Sequence, residues 1–183
     1  MRVIAGTRRS LPLKSVEGLE TRPTTDRIKE TLFNILMPDL PGAKFLDLFA
    51  GSGGIGIEAL SRGADKAVFV DNSRDAVHCI TENVKFTKFT EEAEIIRLDA
   101  LSYVRSLRRV DFDIIFMDPP YGNEFEKDIL AALATKEFVN PDALIIVEAS
   151  LDTDFGYADQ LGFTIYKNKE YKSNKHVFMQ KRI

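Results

Sequence analysis

The stretch that most constrains this chain is Phe45 to Leu60, FLDLFAGSGGIGIEAL, where an apolar run ends in a glycine cluster and a second apolar pattern begins. Phe45, Leu46, Leu48 and Phe49 form a near-continuous hydrophobic segment, as a strand covered on both faces of a parallel sheet requires. Gly51, Gly53, Gly54 and Gly56 follow at once and let a ligand come close to the backbone. Ile55, Ala59 and Leu60 then recur at helical spacing. The stretch therefore predicts strand, tight turn and helix, with a ligand meeting the helix N-terminus.

Gly51, Gly53 and Gly56 satisfy the G-x-G-x-x-G pattern of a dinucleotide site, and Asp71 lies about twenty residues on, the distance of a ribose contact. Two ligands compete. The turn can hold the pyrophosphate of NAD or FAD, or the amino-acid end of S-adenosylmethionine. Asp47 favours the second, because an acid just before the turn offsets an ammonium and a sulfonium and repels a pyrophosphate. An acid there can also do no more than hydrogen-bond the loop amides, so the glycine stretch alone specifies only a nucleotide-like ligand.

With 183 residues the expectation is a single domain, residues 1–183, without room for a second substrate domain. Residues 1–37 read as an extension within it, a hairpin followed by a helix. No apolar run approaches a membrane span or a secretory signal, so a cytoplasmic protein with no membrane contact is expected. Cys79 is the single cysteine, and with only His78 and His176 beside it no metal-ligand cluster is expected. The net charge of −3 hides an asymmetry: Met1–Glu30 carries seven Lys or Arg against four acids, Tyr166–Ile183 six against one, and the middle twelve against twenty-three. Basic ends around an acidic body fit a polyanion gripped by the two ends, although charged ends are often only solvated.

Met1–Lys14 reads as a hairpin with a basic turn at Arg8 and Arg9. A helix follows, capped by the threonines or Asp26 of Thr21-Arg22-Pro23-Thr24-Thr25-Asp26, with an apolar stripe of Ile28, Leu32, Ile35 and Leu36. Past the glycine turn the order is strand Ala67–Val70, helix to about Lys85 with Ala76, Val77, Ile80 and Val84 inward, strand Glu94–Leu98, helix Leu101–Leu107, strand Phe112–Met117, helix Phe125–Leu133 and strand Leu144–Val147. Phe163–Tyr171 and His176–Met179 read as a closing hairpin. Alternating strands and helices define an α/β doubly wound, mostly parallel sheet, whose ligands sit at the strands' carboxyl ends. Asp47, Asp71, Asp99 and Asp118 each stand at such an end and are expected to converge on one crevice.

Asp118-Pro119-Pro120-Tyr121 is the discriminating motif. Two prolines hold the chain rigid and donate nothing, leaving the Asp118 carboxylate and the Pro119 carbonyl as fixed acceptors just past a strand. Such a pair suits an exocyclic amino group, whose two N–H groups are bound while its lone pair faces a methyl donor. Tyr121 can stack on the face of an extruded base.

These residues resemble the amino-methyltransferases that use S-adenosylmethionine. Met1–Gly6, Thr21–Asp26, Leu32-Phe33-Asn34, Asp47–Gly53 and Asp118–Tyr121 together resemble the RsmD-like family, bacterial guanine-N2 methyltransferases acting on 16S ribosomal RNA. The resemblance implies a class I methyltransferase sheet of about seven strands. It also implies that Asp47, Ala50, Gly51, Ser52 and Gly53 meet the methionine end of the cofactor, Asp71 and Asn72 the ribose, Asp99 and Ala100 the adenine, and Asp118 to Tyr121 the target guanine. The implied partner is 16S ribosomal RNA in the small subunit or its assembly intermediate, gripped by Arg8, Arg9, Arg22, Lys172 and Lys175, with the enzyme a monomer. Adenine-N6 or protein glutamine methylation uses the same Pro-Pro-Tyr geometry, and a non-catalytic nucleotide-binding or RNA-binding module would explain the glycine turn and basic ends alone.

Overall fold

The computed structural model describes residues 1–16 and 25–182. Its elements are α1 (Asp26–Leu36), β1 (Lys44–Leu48), α2 (Gly54–Ser61), β2 (Lys66–Asp71), α3 (Arg74–Phe86), β3 (Ala93–Arg97), α4 (Ala100–Ser106), β4 (Ile114–Met117), α5 (Phe125–Ala134), β5 (Leu144–Ser150), β6 (Phe163–Glu170) and β7 (Asn174–Lys181). They build one seven-stranded sheet in the order β3-β2-β1-β4-β5-β7-β6. The first five strands pair in parallel, and β7 runs antiparallel between β5 and β6. The order reverses direction at β1, so the crevice above β1 and β4 is the topological switch point where such sheets take their ligands.

Alternation along each buried strand sends side chains to two separate cores. Phe45, Phe69, Phe116, Ile146 and Phe178 face one side, covered by Leu32, Phe33 and Leu36 of α1, Ile57 of α2 and Ile80 and Val84 of α3. Leu46, Val68, Ile115, Met117, Ile145 and Val177 face the other, under Val104 of α4 and Ile129, Leu130 and Leu133 of α5. Asp47, Asp71 and Asp118 share the parity of Phe45, Phe69 and Phe116, so all three acids emerge on the first face.

Two helices bury more than their apolar stripes predict. In α1, capped by Thr25 Oγ1 accepting from Ile28 N, the buried residues are Lys29, Leu32, Phe33 and Leu36, while Ile28 and Ile35 are only half-buried. The helix is turned so that Lys29 donates to Arg2 O at 2.6 Å and lies 3.4 Å from Glu58. In α3, capped by Ser73, Asn83 takes a buried place and Val77 is half-buried. The predicted N-terminal hairpin forms a single bridge, Arg2 to Pro12, closed by Val3 N to Leu11 O and Leu13 N to Met1 O.

Candidate active site

The glycine turn is shaped by three successive demands. Phe49 has φ 61°, and Gly51 and Gly53 have φ 58° and 80°, left-handed conformations that glycine adopts without strain. A Cβ on Gly51 would meet nothing within 4 Å, so the space beside it is open to a ligand. Gly56 answers a different need, since a Cβ there would fall 2.3 Å from the Phe69 ring and push α2 off β2.

Asp47 lies directly beneath this turn, 1% exposed. Its Oδ2 accepts from Gly56 N at 3.0 Å, in the first turn of α2. Its other oxygen receives no hydrogen bond from the described residues. Burial pushes its carboxyl up to about 7; the Gly56 hydrogen bond pulls the other way, and nearby Asp71 raises it further. Asp71, at the end of β2, accepts from Gly51 N and Ser73 N, both at 2.9 Å, and so ties the turn to the start of α3. Ala50 is anchored to β2 by its N–H on Val70 O, and Ser52 O accepts from Asn83 at 2.9 Å.

The rigid tetrapeptide follows β4. Asp118 is half-buried, Pro119 buried, and Pro120 and Tyr121 exposed. No described donor hydrogen-bonds the Asp118 carboxylate. Burial raises its proton affinity well above the usual carboxylate range, and Glu148 and Asp47 add repulsion. Phe125, opening α5, lies 6.1 Å from the Phe49 ring and links the segment after the tetrapeptide to the glycine turn.

The acid cluster differs from the expected four. Asp118 feels the charges of Glu148 and Asp47, and Asp47 that of Asp71, so Glu148 takes the fourth place. Asp99 stands apart at the end of β3, the edge strand. It is exposed and caps α4 by accepting from Ser102 N at 2.9 Å, directly before buried Ala100. Asn72 is exposed between them, and its carbonyl accepts from Arg97.

The basic residues also separate. Arg9 and Lys172 are exposed, whereas Arg22 lies outside the described residues. Arg8 donates to Thr87 O at 2.7 Å and covers the Phe89 ring, which fastens the hairpin to the end of α3. Lys175 corrects the expectation of a phosphate contact: it is buried, and its ammonium donates to Leu151 O at 2.9 Å and Thr153 O at 2.8 Å. The antiparallel pairing of β7 with β5 turns Lys175 to the sheet face opposite His176, where two carbonyls take its protons. Lys167 and Lys169 of β6 are exposed beside Lys172 in that region.

Sequence reasoning missed Glu148, Asn174 and His176, which form a buried cluster beside Asp118. The available signal was an acid at the end of the apolar run Leu144–Val147, a position a fully covered strand rarely gives to a charge.

A family model described as Conserved hypothetical protein 95 matches residues 1–180. The chain belongs to that family. The match includes both the N-terminal hairpin and most of β7. An rRNA methyltransferase candidate of Bacillus subtilis, YlbH, is 38% identical over 93% of this chain and 92% of its own length. Ribosomal RNA small subunit methyltransferase D of Haemophilus influenzae is 39% identical over 83% of this chain and 80% of its own. Among solved structures, the Escherichia coli methyltransferase candidate yhhF superimposes with a TM-score of 0.88 at 30% identity, covering 100% of this chain and 98% of that one. The family's sheet is thus the class I methyltransferase sheet, and in this member the glycine turn and the tetrapeptide stand at its switch point.

Proposed function

We propose that this protein transfers a methyl group from S-adenosylmethionine to the exocyclic N2 of a guanine in 16S ribosomal RNA. The observation that carries the reading is the nearness of two under-bonded acids, Asp47 in β1 under the glycine turn, with one oxygen unbonded among the described residues, and Asp118 just past β4, with no described donor. Relatives over most of the chain, named as small-subunit ribosomal RNA methyltransferases, support it.

The residues fit such a cofactor. Asp47 is a buried acid with one unbonded oxygen, below a turn with open space at Gly51, and a ligand ammonium or sulfonium would stabilise its ionised form. Asp71 is placed to accept from ribose hydroxyls with the lone pairs its two amide bonds leave free, and Asp99 and Ala100 border the adenine end. When bound, the cofactor supplies an electrophilic methyl group: the N–C bond forms as the C–S bond breaks, and S-adenosylhomocysteine leaves.

The rest is positioning by the chain. Asp118 and the Pro119 carbonyl accept the two N–H groups of the amine, fixing its lone pair toward the methyl group, while Tyr121 stacks on the base. Once the N–C bond forms, the nitrogen is cationic and one proton leaves it. Asp118, half-buried, without a described donor and repelled by its neighbours, is the acceptor that takes it.

The substrate is the small subunit or its assembly intermediate, and the enzyme works as a monomer. Incubation with methyl-labelled cofactor and small-subunit particles lacking the modification, followed by mapping of the labelled base, tests the reading. Label on a guanine N2 of 16S ribosomal RNA is expected. Label on adenine, on protein or nowhere would overturn it.

A further inference from the structure

We infer that Glu148, held by Asn174 and His176 with Tyr171 behind them, is a positioning residue whose charge keeps Asp118 a strong proton acceptor during methyl transfer. The inference rests on the reading of Asp118 as the group that faces the amine.

The geometry is fixed by register. Met117 pairs with Val147, so Asp118, just past β4, and Glu148, in β5, follow side by side, and Glu148 in turn pairs with His176 across β5 and β7. Glu148 Oε1 accepts from Asn174 Nδ2 at 2.7 Å, and Oε2 lies 3.0 Å from His176 Nε2. His176 is fully buried, with the rings of Phe116, Phe178 and Tyr171 about it at centroid distances of 6.0, 6.4 and 5.2 Å. Its Nδ1 lies 3.3 Å from the Tyr171 hydroxyl.

The donor pattern has one consistent solution for a neutral ring. An ionised Glu148 only accepts, so Nε2 carries the hydrogen, Nδ1 is bare and the Tyr171 O–H donates to it. Burial, then Glu148, pushes the Tyr171 hydroxyl up to about 12, which keeps it a donor. Both donors to Glu148 are then neutral. With a neutral ring they stabilise its negative charge without cancelling it, and among the described residues no lysine or arginine pairs with it. Lys175, next to His176 in β7, points to the opposite face. The field of that charge falls on Asp118 from β5, as that of Asp47 does from β1, with Asp71 behind Asp47 on β2.

A purely structural cluster would gain nothing from setting a charge against a second buried acid. A base gains from it. In the step, the N–H bond of the methylated, cationic amine breaks, its electron pair stays on nitrogen, and an O–H bond forms on Asp118. Repulsion by Glu148 makes that transfer more favourable, and the proton later passes to water.

Single-turnover methylation of unmodified small-subunit particles at saturating S-adenosylmethionine, measured across pH, separates this role from packing. Saturation removes the titration of Asp47 in cofactor binding, so the acidic limb reports the bound complex. Glu148→Gln, which His176 can still partner by exchanging tautomers, is expected to lower the plateau. Its acidic limb should move to lower pH, so that its rate at pH 6, relative to its own plateau, rises at least about threefold over the wild type. Tyr171→Phe, at a half-exposed position, should move the limb in the same direction by less. A uniform loss in both variants with the limb unmoved would overturn the inference, as would an unmoved Tyr171→Phe limb if Glu148→Gln does not fold. Near-normal transfer by Asp118→Ala would instead remove the underlying reading.

Discussion

Two acids on the same sheet face, one fully and one half buried, are treated in opposite ways. Glu58 of α2 is fully buried and saturated: it accepts from Ile4 N at 2.8 Å, Ala5 N at 3.0 Å and Arg62 Nε at 2.8 Å, with Lys29 at 3.4 Å. Asp118 has no described donor and faces two other acids. The charge of Glu58 is consumed in holding the N-terminal arm on the domain, while that of Asp118 is left for something that arrives. Burial alone therefore does not single out an acid for chemistry; a desolvated carboxylate without donors is the better candidate.

The comparison breaks most directly by removing each acid. Glu58→Ala leaves Lys29 and Arg62 without their partner and is expected to cost about 3–5 kcal/mol in a denaturant melt. Asp118→Ala is expected to leave the melt unchanged or raise it, while methyl transfer falls about a hundredfold or more through lost positioning. Exchanged results would mean that the two acids have been assigned the wrong way round. Asp71 lies between these extremes, since its two amide bonds brace the turn while its outer lone pairs remain available. Asp71→Ala should weaken S-adenosylmethionine binding by about 1.5–3 kcal/mol in calorimetry, and an unchanged affinity would make it a brace only.

An acid with an unbonded oxygen should also announce itself in pH dependence. Burial pushes the Asp47 carboxyl up to about 7, above its ordinary 3.8. The fold therefore binds its proton where the unfolded chain has lost it. Its contribution to stability falls as pH rises from about 4 to 7 and is constant above. A cationic ligand favours the ionised form, so affinity should climb with pH up to about 7 and binding below that should release a proton. Calorimetry in buffers of different ionisation heat reads this directly, and no proton release would mean that no positive charge reaches Asp47.

The smallest effects separate the two arginines of the hairpin turn. Arg9→Ala should lower the log–log salt slope of RNA binding by roughly 0.7 to 0.9 if it meets a phosphate. Arg8→Ala should chiefly lower stability, because it loses the Thr87 carbonyl and the Phe89 face. Equal slopes for wild type and Arg9→Ala would make that turn an ordinary solvated surface.

How much of this the sequence carried depends on which interactions are local. The strand–turn–helix at Phe45–Leu60 and the tetrapeptide at Asp118 are local patterns, and their elements fall where apolar periodicity and caps predict. Lys29 and Asn83 defeat periodicity because a polar residue takes a place in a buried stripe only when a distant partner awaits it. For Lys29 that partner is Glu58, and for Asn83 it is Lys14. Glu148 and His176 are hidden for a similar reason. Their meeting depends on β7 inserting antiparallel between β5 and β6, a register that neither strand announces alone. Lys175 was misread because a count of charges does not say which face of a strand each one takes.

Asn83 carries one more consequence. Its amide group accepts from Lys14 N and donates both to Lys14 O and to Ser52 O, so a single side chain holds the foot of the hairpin and the floor of the glycine turn. Met1 reaches the same place, its Sδ 3.6 Å from Ser52 Oγ. The arm is thus a wall of the glycine turn rather than an appendage to it. Dissection at the arm would remove part of what holds that turn, and whatever pulls on the hairpin is felt, one side chain away, by the loop that the proposed function assigns to the methyl donor.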